Sequence, residues 1–214
     1  MLVLEEMYRS KKNEYSTPFN LRIQRSLSWF KKALILHDDL DLQFITVWVA
    51  FNALYAQEQA ADQEQYTLRH FLSSMCHKDV NQKIFHILWE KQQSTIRLLL
   101  SNPYLYQSFW DWRNQKISEA TWRSAFATEQ QQLQHILQNH DSVSLLVSLF
   151  SRLTTLYQQL SRGGATYNSA INRKQLANAW SILSVLVPSF IQILLENVEN
   201  IEFNQPFYPV VQVS

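Results

Sequence analysis

The stretch that decides the fold is residues 142–197, which read SVSLLVSLFSRLTTLYQQLSRGGATYNSAINRKQLANAWSILSVLVPSFIQILLEN. Two apolar runs flank a short polar break, and in each run the apolar residues recur at steps of three and four. That period places them on one face of an α-helix. The break holds Gly163 and Gly164, the only glycines among 214 residues. The stretch therefore predicts two long helices joined by a tight turn, which is a helical hairpin.

The ends of both predicted helices carry their own signals. Asp141 or Ser142 can cap the first helix by accepting free amide hydrogens of its first turn, and Gly163 suits the left-handed position just past its end. Asn172 can cap the second helix. Pro188 lies inside the second run, so we expect a kink there and not a stop.

The rest of the chain repeats the helical pattern, and strand patterns are nearly absent. Apolar stripes predict a helix capped by Thr17, a nearly all-apolar helix over 42–57, one from Asp79 to Leu100 and one over 119–138. Residues 1–16 read as a loose or partly helical lead-in, and residues 198–214 as an extended tail. The sequence predicts one all-α domain over 1–214, a bundle of roughly seven or eight helices.

Composition bounds the functional classes. Hydrophobic residues make up 46% of the chain and charged residues 17%, which is typical of a folded protein. The net charge of +1 provides no overall attraction to nucleic acid or to a membrane. Cys76 is the only cysteine, which fits a reducing compartment, and no signal peptide or uninterrupted membrane-length apolar run is visible. We expect a cytoplasmic protein without membrane contact.

Charge is nevertheless unevenly distributed near the N-terminus. Seven Lys and Arg residues and a single acid, Glu14, lie between Tyr8 and Lys32, whereas residues 33–64 carry six acids and no Lys or Arg. One interpretation is a pair of solvated faces that complement each other within the fold. The other is a basic arm that follows a phosphate backbone.

Catalytic and cofactor motifs are missing from the sequence. Nucleotide-binding loops need glycines that this chain lacks, and no histidine or cysteine spacing matches a metal site. Cys76 is followed by His77, but neighbours in a helix point about 100° apart and cannot form a catalytic pair. We therefore predict neither a metal nor a cofactor.

An aromatic segment, residues 104–122, is harder to assign. It contains Trp110, Trp112 and Trp122 in FWDWRNQKISEATW. Aromatic clusters usually belong to a core, although such a segment can also form a lid or a recognition surface.

The glycine pair also carries a family resemblance. Residues 156–197, above all GGATYNSAINR, resemble the C-terminal signature of HEPN-domain proteins, in particular bacterial members with HGGATxNSxVNR. WVAFNALY, Trp48 to Tyr55, is similar to a second block of those proteins. The resemblance implies a dimeric helical bundle and a metal-independent endoribonuclease of the toxin–antitoxin or defence type, which uses an Arg and a His to cleave RNA.

This chain departs from the family at those two positions. Alignment on the glycines puts Tyr157 where the family has Arg, and Arg162 where it has His. Arginine binds phosphate but stays protonated, so it cannot transfer a proton, and a tyrosine hydroxyl is a weak base near neutral pH. We therefore expect no catalytic residue and no ribonuclease activity of the family's kind.

Three functional hypotheses follow. The first is a non-catalytic homodimer whose former cleft binds RNA, a nucleotide or a protein partner. The predicted binding residues are Arg162, Gly163, Gly164, Asn168 and Arg173, and the degenerate position Tyr157 lines the same cleft. The second is an active ribonuclease that recruits His135 or His140 as its base. The third is an antitoxin-like protein-interaction module. A simpler role for Arg162 is a helix-end cation that complements the helix dipole.

Overall fold

A computed structural model describes residues 1–56, 64–198 and 208, and every regular element within them is a helix. The predicted all-α class is confirmed. The ten α-helices of these residues are α1 Leu2–Lys11, α2 Thr17–Ile35, α3 Leu40–Tyr55, α4 Glu64–Lys78, α5 Lys83–His86, α6 Gln93–Leu100, α7 Gln107–Arg113, α8 Glu119–Gln138, α9 Ser142–Ser161 and α10 Arg173–Glu196.

More helices are present than the seven or eight expected. The lead-in forms α1, with Leu4 and Tyr8 buried, and the aromatic segment contributes α7. The helix predicted to run to Leu100 is interrupted, because Ile87–Lys91 adopts a π-helical turn between α5 and α6. The predicted extended tail lies outside the described residues, apart from Val198 and Tyr208.

The described residues pack as two compact units. Those within 1–81 and 183–214 form one, here called the terminal unit, and residues 82–182 form the other, the central unit. The division falls inside α10, which therefore contributes its first ten residues to the central unit and the rest to the terminal unit. That the whole chain is one domain stays a prediction.

In the terminal unit, α2 and α3 form the framework. The cap of α2 is Ser16, whose Oγ accepts from the Phe19 amide at 3.4 Å, so Thr17 is the first helical residue and not the predicted cap. Asp39 caps α3 by accepting from the Leu42 amide at 3.0 Å. As expected for a helix that is apolar on most sides, α3 is central, and Phe51 packs against two rings from other helices, Phe71 and Phe190.

The N-terminal cations are largely engaged within this unit. Arg22 is buried and donates to the carbonyl oxygens of Leu54 and Ala56 at 3.3 and 2.8 Å. Arg9 and Lys31 both contact the carboxylate of Glu5, at 3.5 and 3.4 Å. None of these contacts is to an acid of residues 33–64, so whether the two segments form complementary faces or a basic arm stays open.

The central unit contains the predicted hairpin turn. Asp141 caps α9, because its Oδ1 accepts from the Ser144 amide at 3.0 Å. The inward face of α9 is fully buried and consists of Leu145, Leu146, Leu149, Phe150, Leu153 and Leu156. After the turn, α10 continues through Pro188 as far as Glu196.

Among the described helices, α10 alone is long and apolar enough to cross a bilayer, with a mean hydropathy of 1.7. Length and composition cannot distinguish such a span from the core helix of a soluble protein. In this structure Leu183, Val187, Phe190 and Ile191 of α10 are fully buried in the terminal unit.

Candidate functional site

The turn after α9 is a Schellman motif. Gly163 has the left-handed φ of +71° that the sequence predicts, and its amide donates to the Leu160 carbonyl at 3.1 Å. The Gly164 amide donates to the Gln159 carbonyl at 2.6 Å. This is the paired arrangement that satisfies the free carbonyls at a helix end.

The two glycines are needed for different reasons. A Cβ on Gly163 would meet nothing within 4 Å, so only its positive φ favours glycine there. Gly164 shows no such φ, but a Cβ on it would lie 2.8 Å from the Gln159 carbonyl oxygen. One glycine therefore supplies a backbone angle and the other permits a close approach.

Gln159 holds the turn to its surroundings with three contacts. Besides the backbone contact to Gly164, its side-chain Nε2 donates to the Tyr104 carbonyl at 2.8 Å, and its Oε1 accepts from Asn172 Nδ2 at 3.0 Å. Asn172 lies directly before α10, as predicted, with a left-handed φ of 67°, and its carbonyl oxygen accepts from the Leu176 amide at 2.8 Å. The loop 162–172 is thus fixed at both of its ends.

Sequence reasoning missed Gln159. In a Schellman motif the amide of the second residue after the C-cap, here Gly164 after Arg162, donates to the carbonyl of the third-last helical residue, which is Gln159. The position of Gln159 relative to the glycine pair could therefore have predicted its backbone contact with Gly164.

The predicted binding residues all lie on or beside this loop. Arg162 is exposed, and its guanidinium meets no acid or hydrogen-bond acceptor among the residues that the structure describes. Asn168 is exposed with a left-handed φ of 54°. Arg173 is half-buried at the first position of α10. Tyr157 is half-buried on α9, where a five-residue helical step turns it about 140° away from Arg162. Tyr157 and Arg162 therefore do not share a helix face.

The two histidines considered as bases lie at the other end of α9. His140 packs against Phe85 and Trp89, with ring centroids 6.2 and 4.7 Å apart, just before α9 begins. His135 is in the last turn of α8, which leads to the same end. Because twenty helical residues extend roughly 30 Å, neither imidazole reaches the glycine turn within one chain. No group of three or more metal-ligating side chains occurs in the described part of the chain.

The aromatic segment forms a cluster centred on Phe109. This ring makes edge-to-face contacts of 5.1 to 5.5 Å with four neighbours: Tyr104, Trp110, Trp112 and Trp122. Trp122 is buried, Phe109, Trp110 and Trp112 are half-buried, and Tyr104 is 54% exposed. The cluster is core at Trp122 and surface at Tyr104.

An ion pair between a buried arginine and a half-buried glutamate contacts the aromatic segment. Arg152 of α9 is wholly buried, its Nη2 donates to the carboxylate of Glu129 on α8, and its guanidinium lies 4.6 Å from the ring centroid of Tyr106. Phe126 lies at 5.9 Å. Nε and Nη1 of Arg152 have no hydrogen-bond partner among the described residues. Arg152 ties α9, α8 and the aromatic segment together.

The charges of the chain are segregated between the units. The central unit has ten Lys and Arg residues against five Asp and Glu residues, whereas residues 1–81 and 183–214 have nine against thirteen. The acids near the aromatic segment are paired: Asp111 with Lys116 at 3.5 Å, Glu119 with Arg123 at 2.7 Å, and Glu129 with Arg152. The net charge of +1 conceals this difference because the two excesses nearly cancel.

No protein-family model, no curated protein and no solved structure matches this chain. The HEPN resemblance therefore remains a hypothesis that rests on the residues quoted for it.

Proposed function

We propose that this protein is a non-catalytic RNA-binding protein that contacts phosphates through the loop between α9 and α10, as the homodimer that the HEPN resemblance implies. The observation that carries the proposal is Arg162: an exposed guanidinium, unpartnered among the described residues, on a turn that Gln159 and the two glycines hold in place.

The chemistry of the side chain fits phosphate binding. A guanidinium presents a rigid set of donors that matches phosphate oxygens, and it stays charged at physiological pH. A turn that is already ordered loses little conformational entropy when it binds. Arg162 thus supplies a cation on an ordered backbone turn, in the position where an active HEPN ribonuclease would carry its histidine.

The electrostatics of the central unit supports the same ligand. Its excess of cations attracts a polyanion over distances of about one Debye length, roughly 10 Å at moderate salt. Because the acids near the aromatic segment are already paired, little local negative charge opposes an approaching phosphate backbone.

RNA binding measured as a function of salt tests this proposal. For the purified protein we expect binding that weakens steeply with salt, and for Arg162→Ala a lower affinity with a slope of log affinity against log salt reduced by about one. The RNA should be recovered uncut. The matched control is Lys91→Ala, which removes one positive charge from an exposed site near Trp89 and Ser142, at the far end of α9.

Three results would contradict the proposal. They are the absence of RNA binding, equal effects of the Arg162→Ala and Lys91→Ala substitutions, or cleavage of the RNA that depends on this turn. Retention of a protein partner without any salt-sensitive RNA binding would favour the interaction-module hypothesis instead.

A further inference from the structure

The aromatic cluster of the central unit is partly exposed. Tyr104 is 54% exposed, and Trp110 and Trp112 are only half-buried. Large aromatic rings dominate cores and interfaces because each can bury a large apolar area. Rings that remain accessible in a tight cluster therefore offer flat faces to a ligand.

The exposed rings are held in fixed positions. Trp110 Nε1 donates to the Tyr104 carbonyl at 2.8 Å, and Phe109 packs edge-to-face against both Tyr104 and Trp110. The Tyr104 hydroxyl makes no hydrogen bond within the described residues, so its ring presents a face without a polar anchor. A rigid ring loses less entropy when a planar ligand stacks on it.

The same carbonyl connects this surface to the proposed phosphate site. The Tyr104 oxygen also accepts from Gln159 Nε2, and the Gln159 carbonyl accepts from the Gly164 amide. One glutamine side chain spans the gap, so Tyr104 and the turn are separated by on the order of 10 Å. A phosphate at Arg162 and a base at Tyr104 can therefore belong to neighbouring parts of one strand.

A cation beside the rings favours an anionic ligand over an apolar protein surface. The Arg113 guanidinium lies 5.4 Å from the Trp112 ring centroid, and that of Arg123 lies 5.1 Å from the ring of Trp122. Asp111 is paired with Lys116 and Glu119 with Arg123, which leaves Arg113 as a cation that no carboxylate among the described residues neutralises. Aromatic faces interleaved with cations are characteristic of sites that bind single-stranded nucleic acid.

We propose that Tyr104, together with Trp110 and Trp112, forms a stacking site for unpaired nucleobases, so that the RNA is bound as a single strand across the aromatic surface and the glycine turn. The inference rests on the proposed function. Bases in a duplex stack on one another and hide their faces, whereas unpaired bases can stack on aromatic side chains.

Competition binding with two forms of one RNA sequence tests the inference. The probe is a labelled single-stranded RNA of about 12 nucleotides, and the competitor is a duplex of the same sequence. We expect Tyr104→Leu to weaken binding by about fivefold or more, Tyr104→Phe to bind as the wild type does, and the duplex to compete poorly. Far-UV circular dichroism and thermal unfolding of both variants verify that they fold.

The outcomes separate the two proposals. Binding that depends on Arg162 but is unchanged in Tyr104→Leu, or equal competition by the duplex, would overturn the stacking site and leave the phosphate site standing. A Tyr104→Leu variant that loses self-association without losing RNA affinity would assign the surface to a second copy of the chain, which also overturns the inference. If no RNA binds at all, both proposals fail.

Discussion

Each of the two compact units buries an arginine on a long helix, and the two arginines are stabilised in different ways. Arg22 of α2, in the terminal unit, donates to two backbone carbonyls at the C-terminal end of α3. Arg152 of α9, in the central unit, meets the carboxylate of Glu129 and lies over the ring of Tyr106. Arg22 therefore interacts with the partial negative charges of two carbonyl oxygens, whereas Arg152 interacts with the full negative charge of a carboxylate.

The difference shows what each unit uses its buried cation for. The carbonyl end of a helix carries roughly half a negative charge, so Arg22 caps the C-terminal end of α3 while its own positive charge is only partly compensated. Burial, together with the neighbouring Arg25, lowers the pKa of Arg22 to about 10. Arg152 instead links side chains from α8, α9 and the aromatic segment. One arginine completes a helix end, and the other connects three elements.

The largest expected effect is that of removing the counter-charge of Arg152. Glu129→Ala leaves a buried guanidinium without its carboxylate, and we expect it to lower the free energy of unfolding by about 3 kcal/mol. Urea unfolding at neutral pH measures the change. Glu119→Ala is the matched control, because it breaks an exposed Glu–Arg contact and should cost less than about 1 kcal/mol. Similar values for the two variants would show that burial does not distinguish the pairs.

A smaller loss is expected when Arg22 is replaced. Arg22→Met keeps most of the apolar stem but leaves the carbonyls of Leu54 and Ala56 without their donor, which should cost about 1 to 2 kcal/mol of unfolding free energy. Arg9→Met, at an exposed position, is the control and should be nearly neutral. A variant more stable than the wild type would mean that burying the charge of Arg22 costs more than its hydrogen bonds return.

The smallest expected effect is on how the free energy of unfolding changes with pH, through the titration of Arg22. Below about pH 10 its guanidinium is protonated in the folded and unfolded states alike, so its contribution to stability is constant. Above that pH the folded state releases the proton, while the unfolded state still holds it because its arginine has the ordinary, higher pKa. The wild type should therefore gain about 1 kcal/mol relative to Arg22→Met near pH 10.5. Unfolding curves from about pH 9 to about pH 11 test the sign, and a difference that stays flat or falls would refute the lowered pKa.

The features that could be predicted from the sequence are those set by neighbouring residues. The cap at Asp141 and the left-handed Gly163 each depend on positions within one helical turn, and both were found where the pattern placed them. The π-helical turn at Ile87–Lys91 was missed because its apolar residues continue the helical period.

Partners far along the chain could not be predicted. Arg152 and Glu129 are 23 residues apart, and Arg22 lies 32 residues from Leu54, so neither burial is visible in a local pattern. In the candidate site, too, the residues close in sequence could be predicted and the distant contact could not. Its residues were identified from one contiguous loop, whereas the contact from Gln159 to Tyr104 spans 55 residues and was missed.

The terminal unit also imposes an order on biosynthesis, because its core combines residues from before position 82 with residues after position 182. Phe190 packs on Phe51 and Phe71, so these two rings lack one of their neighbours until the second half of α10 leaves the ribosome. At translation rates of about 5 to 20 residues per second, the intervening hundred or so residues take about 5 to 20 s to synthesise. During that interval the nascent α3 and α4 lack the aromatic contact that α10 later supplies, while the central unit already has most of its chain available for folding.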